Sequence, residues 1–148
     1  MTINEIEKVI MKPRENRDLV SVVDDDASFR ESTCWLVRSF GFEAESFNSA
    51  QEFLVSPERN GTGCLILDLC MPGMTGVELQ QYLANEKTNI PIIFMTGYAD
   101  NDEEQKAMIG GAVAFLRKPL KDEALLGAIR TALEIGRASC RERVLHAV

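Results

Sequence analysis

Asp68 closes the apolar run Cys64-Leu65-Ile66-Leu67 and is followed at once by Leu69-Cys70-Met71-Pro72-Gly73-Met74-Thr75-Gly76, a turn by its proline and glycines. A carboxylate at the end of a buried strand is costly unless a metal, a cation or chemistry compensates it. The pattern recurs along the chain. Leu19–Val23 runs into Asp24-Asp25-Asp26, residues 90–95 run into Thr96-Gly97, and residues 112–116 run into Arg117-Lys118-Pro119. Strands of one parallel sheet would bring these polar groups to a single edge, the edge where open α/β sheets place their ligands. Three carboxylates gathered there repel one another unless a cation intervenes, and a hard divalent ion with oxygen ligands, Mg²⁺, suits a site with few carboxylates and several retained waters. Thr96 offers a hydroxyl donor and Lys118 a point positive charge, which together with the metal meet the needs of a phosphoryl group on an oxygen nucleophile. Neither a P-loop nor a GxGxxG run is present, so a nucleotide is not the implied phosphate source. Phosphoryl transfer onto Asp68 itself, as a carboxylate nucleophile, is the remaining chemical sense.

Each of these residues has a plainer reading when taken alone. Asp24, Asp25 and Asp26 could be an acidic turn favouring the start of the next helix, and Asp26 fits that role best. Lys118 could be a solvated lysine, Thr96 a hydroxyl satisfying a turn, and Phe115 a core aromatic. Their order and position, each at the end of an apolar run, favours one shared site. Cys70 has no adjoining basic residue to lower its pKa, so a redox sensor is disfavoured.

The elements that must position these groups are legible from periodicity. Leu19–Val23 is β-branched and ends abruptly at the aspartates. Phe29, Thr33, Leu36, Val37 and Phe40 then form one face of an amphipathic helix stopped by Gly41, with Trp35 off the stripe. Glu43–Phe47 reads as a second strand. Asn48 or Ser49 can cap a helix through Ala50, Phe53 and Leu54 that ends at Pro57, and residues 59–63 read as a loop. Residues 65–67 have the continuous apolar pattern of a strand buried on both faces. A helix from about Gly76 is expected to turn Leu79, Tyr82 and Leu83 inward. Residues 90–95 are a fourth strand with Pro91 at its entry, where a missing N–H is tolerated. Residues 100–109 are a polar helix closed by Gly110-Gly111, of low local stability and so suited to movement. Residues 112–116 are the fifth strand, and Ala124, Leu125, Ala128, Ile129, Ala132 and Leu133 line one side of a last helix. Five alternations of strand and helix imply an α/β fold: a five-stranded parallel sheet with helices on both faces.

The bulk properties exclude several classes. The 148 residues suit one domain with a small appendage, and 45% hydrophobic content suffices for a packed core. A net charge of −7 argues against non-specific DNA binding by this chain alone. There is no apolar run of about 20 residues to span a bilayer, and the first 18 residues lack a signal-peptide stretch. No membrane partner is therefore expected. Cys34, Cys64, Cys70 and Cys140 show no CxxC spacing and fit reduced thiols in a cytoplasmic protein. The single histidine, His146, disfavours a Ser/His/Asp triad.

Val22-Val23-Asp24-Asp25-Asp26, Leu67 through Gly76, Met95-Thr96-Gly97 and Phe115-Leu116-Arg117-Lys118-Pro119 resemble the receiver domain of bacterial two-component response regulators. The resemblance covers about residues 18–135 and implies a flavodoxin-like (βα)5 receiver fold. It also implies that Asp68 accepts phosphate from a sensor histidine kinase and that the chain is a switch, not an enzyme. On the same grounds Asp25 would bind Mg²⁺ directly and Asp24 largely through water, with Asp68 and the Cys70 carbonyl completing the protein ligands. Thr96 would hydrogen-bond the phosphoryl group, Lys118 would pair with it, and Phe115 would be the aromatic that turns inward when Thr96 moves. The Lys118-Pro119 bond is often cis in the family. Cys70 and Tyr98 would flank the path of an attacking water without positioning it, which implies slow loss of phosphate. The face formed by residues 100–135 is expected to support a homodimer or output contacts.

Residues 1–18 read as a mobile lead-in, 19–135 as the receiver domain and 136–148 as a linker or the truncated start of an output domain. Residues 139–148 resemble the opening of a LuxR-type helix-turn-helix over about ten positions, the alternative being an unstructured or appended end. DNA would be contacted only through an output domain absent from this chain. The leading reading is thus the regulatory part of a transcriptional regulator. The alternative is a stand-alone receiver acting by protein binding. An aspartyl-phosphate enzyme would need a capping insertion and a second catalytic acid, and neither is visible.

Overall fold

The computed structural model describes residues 18–97 and 101–146, with side chains described as far as residue 138. Strand and helix alternate as β1 (Leu19–Val23), α1 (Ala27–Ser39), β2 (Glu43–Phe47), α2 (Ala50–Val55), β3 (Thr62–Asp68), α3 (Gly76–Asn85), β4 (Ile92–Thr96), α4 (Asn101–Ile109), β5 (Ala114–Arg117) and α5 (Asp122–His146), with a 3₁₀ turn at Pro57–Gly61. The strands form one sheet in the order β2-β1-β3-β4-β5, every pairing parallel.

Strand periodicity sorts the core into two layers. Val23, Leu65, Leu67, Ile92 and Phe94 face Phe53 of α2, Leu79 and Leu83 of α3 and Ala107 of α4. Val20, Val22, Cys64, Ile66, Ile93 and Met95 face Cys34 and Val37 of α1 and Leu125, Ile129 and Leu133 of α5. The three central strands are buried on both faces, which is why they read as continuous apolar runs. Ser21 breaks that run, and its hydroxyl is satisfied by the Thr62 hydroxyl at 2.7 Å.

Local signals end these elements. Gly41 follows α1 at φ +96°, a backbone conformation that glycine adopts without a Cβ penalty. Ser49 is the cap of α2, its hydroxyl accepting from the Glu52 amide at 3.1 Å. Thr75 and Glu78 form a reciprocal capping box on α3.

Four expectations are corrected. Tyr82 is 41% exposed, because the inward stripe of α3 runs through Gly76, Leu79, Gln80 and Leu83 and position 82 lies off it. Gln80 is the polar member of that stripe, and its amide Nε2 donates to the Ala107 carbonyl at 2.9 Å. Thr62 and Gly63 belong to β3 rather than to the preceding loop, since the 3₁₀ turn brings the chain to the sheet edge two residues early. The strands β4 and β5 each begin two residues later than their apolar runs, at Ile92 and Ala114. α4 begins at Asn101; Asp100 lies outside the described residues. α5 continues unbroken past Ile135 to His146, and Arg137 on it pairs with Asp18 just before β1 at 2.8 Å.

Candidate functional site

All five strands run the same way, so the ends of β1, β3, β4 and β5 share one rim. β3 finishes on Asp68, 5% exposed. β1 stops one residue before Asp24, which is fully buried and whose amide donates to the Phe47 carbonyl at 3.1 Å. Carboxylate oxygens of Asp24, Asp25 and Asp68 lie within 4.8 Å of one another, with Asp25 exposed at the mouth. Lys118, one residue past β5, reaches across the rim. Its Nζ donates to Asp24 Oδ2 at 2.9 Å and lies 3.7 Å from Asp68 Oδ2. The preceding backbone anchors it, for the Lys118 amide donates to the Thr96 carbonyl at 2.7 Å. The Lys118-Pro119 peptide is cis.

Backbone amides hold the remaining carboxylate oxygens. Asp24 Oδ1 accepts from the Asp26 amide at 3.0 Å, and Asp68 Oδ1 accepts from the Cys70 amide at 3.4 Å. The Asp24 carbonyl takes a hydrogen bond from Arg30 at 2.7 Å. Asp26 is spent on the helix: it is the cap of α1, accepting from the Phe29 amide at 3.1 Å. Gly76 lets α3 start directly against β3, since a Cβ there would sit 2.6 Å from the Asp68 carbonyl oxygen and 3.0 Å from the Phe94 ring.

Burial and the neighbouring Asp24 charge push the Asp68 carboxyl up from its usual 3.8 to about 7, against the opposing pull of Lys118. Two buried acids with one ammonium between them leave negative charge uncompensated. The donor set is all oxygen and anionic, so the residues present fit a hard divalent cation. Burial, then the charges of Glu103 and Asp68, keep the Cys70 thiol above its ordinary value.

The structure brings Asp24, Asp25, Asp68 and Lys118 together, and it puts Thr96 at the adjacent strand end, 1% exposed. Cys70 contributes its amide, and its thiol lies 3.9 Å from Glu103 of α4. Phe115 is half-buried on β5, its ring 6.4 Å from that of Phe94. Tyr98 lies outside the described residues. Two contributors were not anticipated. Glu103 approaches from α4, and the Lys118 ammonium sits 4.1 Å above the Phe29 ring. Phe29 was legible only as a core position, since nothing in its own stretch signals a lysine 89 residues away.

Residues 20–130 match the family model described as the response regulator receiver domain. Nodulation protein W of Bradyrhizobium diazoefficiens is 47% identical over 116 residues, 78% of this chain and 51% of that protein. The response regulator protein TodT of Pseudomonas putida is 43% identical over 121 residues, 82% of this chain and 53% of that protein. The chain therefore spans about half the length of these relatives. Among solved structures, the response regulator StyR superposes with a TM-score of 0.81 at 43% identity, covering 87% of this chain and 65% of that one. The crystal structure of FixJ-N gives a TM-score of 0.73 at 39% identity, covering 78% of this chain and 93% of that one.

Proposed function

The chain belongs to the response regulator receiver family, and from that premise we propose that Asp68 accepts a phosphoryl group from a sensor histidine kinase. The family is a class of signalling switches in two-component systems and not of enzymes. The observation that carries the reading is the Lys118 ammonium shared between Asp24 and Asp68, with Asp25 in the same oxygen cluster. An Asp68 carboxylate oxygen forms the new bond to phosphorus while the bond to the donor nitrogen breaks, and the departing imidazole keeps that electron pair. Asp24, Asp25, Asp68 and the Cys70 carbonyl would hold Mg²⁺, which when bound offsets the repulsion between the carboxylate and the incoming anion. Lys118 pairs with a phosphoryl oxygen, and the Thr96 hydroxyl donates to another.

The switch proposed is a shift of Thr96 and Phe115 that remodels the face formed by residues 100–135, where two copies or an output partner would dock. Met108, Ile109 and Ile135 on that span are large apolar side chains left at least 46% exposed. Relatives named transcriptional regulatory proteins support a role in transcription, with DNA contacted through an output domain that would follow residue 135. Residues 1–18 would be a lead-in and 136–148 a linker or the start of that domain. Among the described residues no helix is long and apolar enough to cross a membrane, and a cytoplasmic place of action fits a kinase-fed switch.

Incubation with acetyl phosphate and Mg²⁺ tests the reading by intact mass. The wild type is expected to gain one phosphoryl group, lost on chelation of the metal beforehand and absent from Asp68→Asn. A gain that persists in the Asn variant would place the acceptor elsewhere.

A further inference from the structure

We propose that Phe29 is a positioning residue of the acceptor site, its ring holding the Lys118 ammonium between Asp24 and Asp68; the proposal rests on the phosphoryl-acceptor reading above. Three groups converge on Lys118 Nζ: Asp24 Oδ2 at 2.9 Å, Asp68 Oδ2 at 3.7 Å and the Phe29 ring centroid at 4.1 Å. The last distance is well within the range at which a ring's negative face attracts a cation. The lysine side chain is only 19% exposed, and such a contact strengthens as water is removed.

The ring's position is fixed by its backbone. The Phe29 amide donates to the capping carboxylate of Asp26 at 3.1 Å, and the Phe29 carbonyl accepts from the Thr33 hydroxyl at 2.8 Å. The half-buried side chain also packs against the core layer beneath α1 and α5. α1 therefore starts at the site and carries the ring to the lysine.

The choice of a ring has a chemical consequence. An ammonium on a flexible four-carbon stem has three donors and many rotamers. A polar neighbour would restrain it by consuming a donor. An aromatic face restrains the charge and takes no directed hydrogen bond, so the donors stay available to the two carboxylates and an arriving phosphoryl oxygen. A leucine would fill the space without attracting the charge.

The test uses the full chain, with acetyl phosphate as donor at saturating Mg²⁺, and reads the second-order rate constant for phosphoryl uptake. Phe29→Leu is expected to lower it about three- to tenfold, the scale of one partly desolvated cation–π contact. Phe29→Tyr should restore it to within about twofold. Replacement of Phe29 by phenylalanines of increasing ring fluorination should lower the rate stepwise at unchanged Tm. A rate unaffected by Phe29→Leu, or flat across the fluorinated series, would overturn the proposal. Uptake that persists in Asp68→Asn would overturn the acceptor reading itself. Uptake abolished in Asp68→Asn but unchanged in Phe29→Leu overturns only the part given to Phe29.

Discussion

Asp68 is held in a costly state. It is buried beside the fully buried Asp24, and one ammonium serves both. Its folded pKa is about 7, against 3.8 for the ordinary group. Between those values the folded chain binds more protons than the unfolded one. The contribution of Asp68 to the stability of the metal-free protein therefore falls as pH rises from about 4 through about 7, and it stays lower above. Asp68→Asn removes the penalty. Its Tm should exceed that of the wild type by a margin that widens from pH 5 to pH 8 in chelator, reaching on the order of 10 °C. Adding Mg²⁺ should narrow the margin by restoring wild-type stability. Parallel Tm curves across that range would contradict the burden placed on this carboxyl.

The elements explain how residues so far apart in sequence meet. Gly76 is required where α3 begins, because a methyl group would run into the backbone of β3 at 2.6 Å. Gly76→Ala should cost about 1–3 kcal/mol by overpacking, read from chemical denaturation, and should slow phosphoryl uptake by moving Asp68. A stability change within about 0.5 kcal/mol would show that the turn yields freely. Much of this scale was legible beforehand. The apolar runs of β1, β3 and β4 are buried on both faces, so the strands and their polar ends declared themselves. Tyr82 departs from the expected inward stripe because a 10-residue helix offers little length to fix that stripe, and Gln80 satisfies a buried position that a hydropathy pattern assigns to an apolar side chain. The approach of Glu103 to Cys70 and of Phe29 to Lys118 belongs to tertiary packing, which local periodicity does not encode.

Across the whole molecule, contacts from the start of α4 reach the site's rim. α4 carries three acids in its first turn and one buried residue, Ala107, among the weakest anchorages in the fold. Glu103 meets Cys70 and Glu104 pairs with Arg117 at 3.6 Å, so the start of α4 is tied to residues flanking both Asp68 and Lys118. An exposed pair of this kind is worth at most about 1 kcal/mol, so the proposed switch has only a small hold to overcome. Sedimentation equilibrium should show a monomer without phosphate and a mass moving toward twice that value with Mg²⁺ and beryllofluoride. An unchanged mass would assign the exposed Met108, Ile109 and Ile135 to a different partner.

In the proposed function the rim acids and Lys118 make Asp68 the one residue that carries phosphate. Borohydride reduction converts an aspartyl phosphate to homoserine, so labelling with acetyl phosphate and Mg²⁺ followed by reduction and peptide mass spectrometry locates the acceptor directly. Homoserine at position 68, absent when Mg²⁺ is withheld, is the predicted result. Homoserine at position 24 or 25, or phosphate stable to reduction on another side chain, would contradict it.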